Sequence, residues 1–414
     1  MSTTGAQKEK VSNRAWVSLI LVWITSIMAP VAQFKVTPIS SFLMTEYGFD
    51  VSTFGLLMSS MSLIGIILAF PAAYITGKLG PKKSILISLC ILVVGTVIGA
   101  LAPTANVLLY SRVIEGFGLA FMGISAPLAI TVWFPPSRRG FPLGLWSTWV
   151  PVGVVLALNV APRIAQTFGV SAVWWADAAL TFVVVLVFAF FYKLPNNISD
   201  DNITSNGSVH EVLRLTATPS IWILGITFFA FNVVGTTMIN TYYPTYLQQT
   251  YSMQAVESSQ ITSYYTMFCI FTSPLGGILF EKTRRAKLLL CLGLSILGVS
   301  SIIGWIPIFE LNLLFVLLAS LGAGIIAGIC RSFAVELLYS KNEIMATPVA
   351  QAILTFVQRA CDFIAPIVFG AILGNGGTWQ NTSIFMVALI VISIVALIAF
   401  LNFKDGTPAP KNKS

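Results

Sequence analysis

Charge is scarce in this sequence. Of its 414 residues only 9% are Asp, Glu, Lys or Arg, while 56% are hydrophobic. Soluble domains carry about 25% charged residues, so a chain this long cannot cover a water-exposed surface, and most of it must meet lipid. Histidine is almost missing, with His210 alone in a polar stretch. No H-E-x-x-H metal pair, G-x-S-x-G nucleophile turn or Walker-type phosphate loop occurs, which argues against a membrane enzyme and against a nucleotide-driven pump. No cofactor is expected. The five cysteines, Cys90, Cys269, Cys291, Cys330 and Cys361, all fall in apolar segments. They show no metal-ligand spacing, and an odd set buried in lipid is a poor disulfide framework, so they read as small packing residues and no metal site is expected. The net charge of +8 raises nucleic acid as a partner, but the basic residues lie between apolar runs and form no continuous patch. A nucleic-acid partner is therefore not expected.

What the chain does have is long apolar runs. A bilayer core about 30 Å thick needs roughly 20 apolar residues in a helix rising about 1.5 Å per residue. Breaks at polar, Pro and Gly clusters give twelve segments: 15–44, 51–77, 83–103, 106–133, 140–166, 170–193, 219–248, 256–281, 286–308, 312–338, 346–373 and 379–402. The first has no small-residue cleavage site and reads as a span, not as a removed signal. An even count puts both termini on one side. With the termini in the cytoplasm, 18 of the 23 Lys and Arg fall inside and none falls in an outer loop, as the positive-inside rule requires. The expected organisation is an all-α membrane protein: a tail over 1–14, a six-helix bundle over 15–193, a cytoplasmic linker over 194–218, a second bundle over 219–402 and a tail over 403–414. The expected location is the cytoplasmic (inner) membrane of a bacterium, as a monomer in the lipid bilayer.

The second half repeats the first at an offset of 203–206 residues. Pro38 matches Pro244, Ala73 matches Gly277, Gly116 and Gly118 match Gly322 and Gly324, and Pro162 matches Pro366. Related bundles of this kind place a solute site near the midplane between the halves and expose it by rocking one half against the other.

The loop after the second segment reads A-Y-I-T-G-K-L-G-P-K-K, from Ala73 to Lys83, and its second copy reads G-I-L-F-E-K-T-R-R, from Gly277 to Arg285. With R-V-I-E-G-F-G from Arg112 to Gly118 and W-F-P-P-S-R-R-G from Trp133 to Gly140, the chain resembles the major facilitator superfamily over essentially its whole length. Lys35 followed by Pro38 makes the first span similar to that of the cyanate and nitroimidazole permease group. The resemblance implies a transport fold with two pseudo-symmetric six-helix bundles. It also implies a cytoplasmic gate at Gly77, Lys78, Gly80, Glu281, Lys282 and Arg285. Gly77 stands where the motif has an acid, which weakens the first copy, whereas the second keeps Glu281.

Nine charges lie within the spans: Lys35, Arg112, Arg163, Arg331 and Arg359 against Glu115, Asp177, Glu336 and Asp362. Each costs about 2.5–3.5 kcal/mol at the bilayer centre on insertion scales and needs a partner, water or a ligand. Arg112 with Glu115 and Arg359 with Asp362 are three apart and share a helix face. They are either self-neutralised pairs or coupling sites in which a proton or counter-anion frees the acid. Arg163 either pairs with Asp177 or snorkels, and Glu336 is expected to meet the inner basic loops. Lys35 has no acid within four residues. It is either a ligand for an anion or the partner of an acid on another helix, such as Asp362. Arg331 either binds solute or snorkels. The repeat pairs Lys35 with Thr241, which brings Asn240 and Tyr242 into the candidate site, and Trp149 stands three residues after Trp146. Tyr246 is expected in an interfacial belt.

The expected function is gradient-driven symport or antiport of a small anion such as a carboxylate. Its substrate-binding candidates are Lys35, Arg359, Asn240, Thr241, Tyr242, Trp149 and Arg331, and its coupling candidates are Arg112, Glu115 and Asp362. The competing reading is a proton-coupled exporter of hydrophobic or cationic compounds, which needs an unpaired acid in the cavity.

Overall fold

The computed structural model describes residues 12–48, 51–195, 209–253, 255–339, 345–374 and 378–400. They form helices and no strands, because a backbone in lipid must satisfy its own N–H and C=O groups. The helices of the first half are α1 (Asn13–Phe34), α2 (Ser40–Tyr47), α3 (Val51–Ala100), α4 (Ala105–Thr131), α5 (Gly140–Trp146), α6 (Trp149–Phe168) and α7 (Val170–Phe191). A short helix α8 (Val209–Thr216) follows within the stretch expected as linker. The second half comprises α9 (Pro219–Asn232), α10 (Tyr243–Tyr251), α11 (Ala255–Thr283), α12 (Ala286–Ile303), α13 (Leu311–Tyr339), α14 (Ala346–Gly374) and α15 (Trp379–Phe400).

Among the described residues, ten stretches are long and apolar enough to cross a membrane. One of them runs through Gly80, whose φ of 75° and ψ of 170° turn the chain back on itself, so α3 holds two spans. Only glycine adopts that backbone without strain, and Pro81 starts the next helix. The 29-residue α11, diluted by Ser, Thr and Gln, is the helix of the eighth expected span and falls outside that count. The first span is α1 with α2, the fifth α5 with α6, and the seventh α9 with α10. Between α9 and α10 the seventh span is a π-helix over Val233–Tyr242.

Each half has its own apolar core. The halves meet where α3 and α4 pack on α14 and where α5 and α6 pack on α11. At the end carrying the basic loops this contact is close. Gly140 and Gly277 approach so nearly that a Cβ on either would strike the other's backbone.

Candidate functional site

The first polar centre forms where the first span breaks. Lys35 caps α1, and Pro38 follows in a single 3-10 turn over Thr37–Ile39. The helix ends at Phe34, ahead of the Val36 and Thr37 N–H groups that would serve the Ala32 and Gln33 carbonyls, so these carbonyls lose their helical donors. Arg112 of α4 replaces them, donating from Nη1 to the Ala32 carbonyl at 2.6 Å and from Nη2 to the Gln33 carbonyl at 2.7 Å. A cation there also suits the negative end of the helix dipole. Arg112 pairs with Glu115 on its own helix. Lys35 Nζ donates to Glu115 Oε1 at 2.7 Å and to Asp177 Oδ2 at 2.8 Å, and lies 5.0 Å from the centre of the Trp174 ring. Thr96 donates to Glu115 at 3.0 Å. Two cations and two carboxylates thus cancel in a site where Lys35 is 1% exposed. Of the two readings of Lys35, its contacts are those of a partner to acids on other helices, and the acids are Glu115 and Asp177, not Asp362. Asp177 turns to Lys35 and not to Arg163, which is exposed. Glu115 is locked between Arg112 and Lys35 and is not a free carboxyl.

The second centre is a cavity of about 110 Å³ between the halves. Ser147, Trp149 and Val154 line it from the fifth span, and Phe228, Asn232, Thr236 and Asn240 from the seventh. Tyr265 and Ser273 come from α11, Ala327 and Arg331 from α13, and Gln358 from α14. None of the described residues lining it is acidic. Arg331 is its cation, 5% exposed. The guanidinium lies between two rings, 5.1 Å from the centre of Trp146 in the first half and 5.3 Å from that of Phe228 in the second. Nη1 donates to Gln351 Oε1 at 2.9 Å, while Nη2 reaches Gln358 Oε1 at a long 3.4 Å. Gln351 in turn donates to the Arg331 carbonyl at 3.0 Å. Among the described residues no carboxylate pairs with Arg331. It does not snorkel: the side chain is buried among rings from two other spans and held by Gln351 and Gln358.

Trp149 and Asn240 also line this cavity, with Trp149 stacked on Trp146 at 5.2 Å. Arg359 does not line it. That side chain pairs with Asp362 at 3.2 Å and lies against α3, where a Cβ at Gly65 would sit 2.8 Å from its Cγ. Asp362 Oδ1 has no hydrogen-bond partner. Tyr242 turns away, donating to the Pro366 carbonyl at 2.8 Å and stacking on Phe369. Thr241 belongs to the π-helix, and its side chain lies outside the described residues. Tyr246 is corrected from an interfacial residue to a buried one, packed on Trp305 and Tyr243. Gln351, Gln358, Phe228 and Trp146 are the contacts of Arg331 that sequence reasoning missed or assigned to packing. No local spacing signals them, since they come from three other spans.

At the basic end, Glu281 accepts from the Phe141 N–H at 2.9 Å and so caps α5 from the other half. Arg284, not the exposed Arg285, reaches Glu336 at 2.6 Å and the Pro136 carbonyl at 3.5 Å. Thr131 and Thr347 meet across the halves at 3.3 Å. Of the other gate candidates, Gly77 and Gly80 are buried in α3, Lys282 is exposed, and Lys78 lies over the Tyr74 ring. The basic end is thereby closed, while Asn240, at the other end of the cavity, is exposed.

Relatives share this length and pattern. The chain is 24% identical to "Cyanate transport protein CynX" of Escherichia coli K12, over 91% of this chain and 96% of that protein. It is 22% identical to "Probable nitrate transporter NarT" of Staphylococcus haemolyticus, over 93% and 95%. It is 20% identical to "Hexuronate transporter" of Bacillus subtilis, over 89% and 90%. The family model described as Major Facilitator Superfamily matches residues 22–356. That match covers most of the chain and accords with its all-helical, membrane-spanning fold, and the chain belongs to the Major Facilitator Superfamily of membrane transporters.

Proposed function

We propose that this chain is a secondary transporter that carries a small anion across the cytoplasmic membrane by alternating access, with Arg331 as the anion ligand. The observation that carries this reading is a buried guanidinium, without a carboxylate partner, in a cavity whose described lining holds no acid. A lone buried cation is costly, and a bound anion offsets that cost. Relatives named for cyanate, nitrate and hexuronate transport support an anionic solute. Trp149 and Asn240 wall the site with Arg331. Lys35, Arg112 and Glu115 serve as structure in the first half. Arg359 and Asp362 remain as the coupling pair, since Asp362 has a carboxylate oxygen with no partner. A proton or a counter-anion would act there, as symport or antiport. The export of hydrophobic or cationic compounds is disfavoured, because a cationic solute would meet Arg331 and no acid.

A ligand that binds only the folded state raises its stability by mass action. Thermal shift of purified protein against nitrate, cyanate, monocarboxylates and organic cations therefore tests the reading. Anions should raise the melting temperature, cations should not, and Arg331→Gln should abolish the response. A response to anions that survives Arg331→Gln would remove Arg331 from the site.

A further inference from the structure

The cavity at Arg331 has a shape and a lining that narrow the kind of anion it takes. On α13 it extends from Ala323 to Arg331, and on α11 from Tyr265 to Ser273. Both stretches are nine residues, eight helical rises, roughly 12 Å at 1.5 Å per residue. Both helices run toward the basic end, so Arg331 and Ser273 mark the closed, inner end of the cavity. Ala323, Tyr265 and the exposed Asn240 mark the other end. The cation therefore sits at one pole of an elongated space. Between the poles the walls are mainly apolar, with Phe231, Val150, Val154 and Ala327, beside the neutral Asn232 and Thr236. Nothing in that stretch carries charge.

The guanidinium is also restricted in how it can be approached. The Trp146 and Phe228 rings stand 5.1 Å and 5.3 Å from it. Its N–H groups lie in the guanidinium plane, so an anion that accepts from them comes in along an N–H edge. Gln351 holds Nη1 from outside the cavity, whereas Gln358, at 3.4 Å from Nη2, lines the cavity. The edge bearing Nη2 therefore faces the space, and its weak amide contact is the one an incoming acceptor displaces. A planar carboxylate matches a planar N–H edge with two parallel hydrogen bonds. One guanidinium balances one negative charge. A second carboxylate, at the far pole, would meet the neutral Asn240, Tyr265 and Thr266 and no cation.

We infer that the substrate is a monocarboxylate with an apolar body, its carboxylate on the Nη2 edge of Arg331 and its body along Phe231, Val154 and Ala327. This rests on the anion-binding reading of Arg331 and goes beyond it, since a compact inorganic anion fills only the Arg331 pole and leaves the apolar stretch unused.

The test is a chain-length series on the purified wild-type protein in nanodiscs, with affinities from titrated thermal shift. The probes are acetate, butanoate, hexanoate and benzoate, compared with nitrate, cyanate and succinate, and hexylammonium controls for partition into lipid. Burial of each added methylene should tighten binding up to about fourfold from acetate to hexanoate. Benzoate should rank with hexanoate, and succinate should fall below butanoate. Ala327→Leu, which fills the apolar stretch, should lower the ratio of hexanoate to acetate affinity. A flat series, with nitrate or cyanate binding at least as tightly as hexanoate, overturns this inference and leaves the anion reading intact. A shift with hexylammonium equal to that with hexanoate overturns it as non-specific partition. No shift with any anion overturns both.

Discussion

Lys35 offers the sharpest separation between a structural charge and a solute ligand. Replacing it by Met keeps the stem and removes the ammonium. Glu115 then retains Arg112 and Thr96, but Asp177 keeps only Thr181, at 3.4 Å. The result is a carboxylate, 5% exposed, with no countercharge of its own. Breaking a buried pair by removing one partner costs about 3–5 kcal/mol, so Lys35→Met should be destabilised by about that amount. Asp177→Asn in the same background removes the orphan and leaves a neutral Arg112–Glu115 pair. The double variant should therefore recover most of the loss, with a coupling energy on the order of 2–3 kcal/mol in the double-mutant cycle. The assay is the folded fraction remaining after graded heating, read by size exclusion for the parent, both single variants and the double. Anion-induced thermal shift is measured on each. If Lys35→Met matches the parent in stability, the cluster does not hold the first half together. If the double variant is stable but deaf to anions, Lys35 belongs to the solute site after all.

Two further outcomes follow from the contacts between halves. Glu281→Ala removes the acceptor that caps α5, a loss of about 1–2 kcal/mol by analogy with other N-caps, so the state closed at the basic end should lose roughly 5–30-fold in population. A cysteine introduced at Ser147 in a cysteine-free background should then label faster with a membrane-impermeant maleimide added from the basic side. An unchanged rate refutes the cap. Trp146→Ala removes one ring from Arg331, and a cation–π contact is worth about 0.5–2 kcal/mol. Anion affinity should fall by about 2–30-fold, while Trp146→Phe, which keeps a ring but loses the 2.9 Å bond to Ser26, should fall less. Equal losses in both variants would assign the effect to Ser26.

The spans were legible because length, hydropathy and the sidedness of Lys and Arg are local and additive signals. The ion pairs at spacing three were legible for the same reason, and Arg112–Glu115 and Arg359–Asp362 are formed. Lys35 was not, since its partners are 80 and 142 residues away and an acid on a distant helix leaves no trace in local spacing. Arg331 lies eight residues before the end of α13, about 12 Å, a depth from which a long side chain can reach the interface. What holds it inside is the packing of Trp146 and Phe228 beside the guanidinium, and their registers depend on how three spans pack. The gate residue was misplaced by one, Arg285 for Arg284, because helix phase at a chain reversal is set by the turn. Arg284 itself adopts φ of 54° there.

The repeat explains why the free cation is in the second half. Pro38 and Pro244 are 206 residues apart and interrupt equivalent spans. In the first half the helix breaks, and the stranded carbonyls of Ala32 and Gln33 take Arg112 as a cap. That cap is a buried charge, so Glu115 must neutralise it, and Lys35 and Asp177 complete a balanced set. In the second half the chain meets its proline by widening into a π-helix, and the Tyr243 N–H bonds back to the Met238 carbonyl, five residues earlier. The backbone there satisfies itself, as such wider turns allow, and wider turns recur at functional sites. No charged cap is needed, and at the same offset Arg112 and Glu115 correspond to Leu318 and Leu321. The charges of the first half are committed to repairing a break, whereas Arg331, beside a span that repaired itself, is left without a carboxylate. A solute carrying the missing negative charge is the partner that this asymmetry leaves room for.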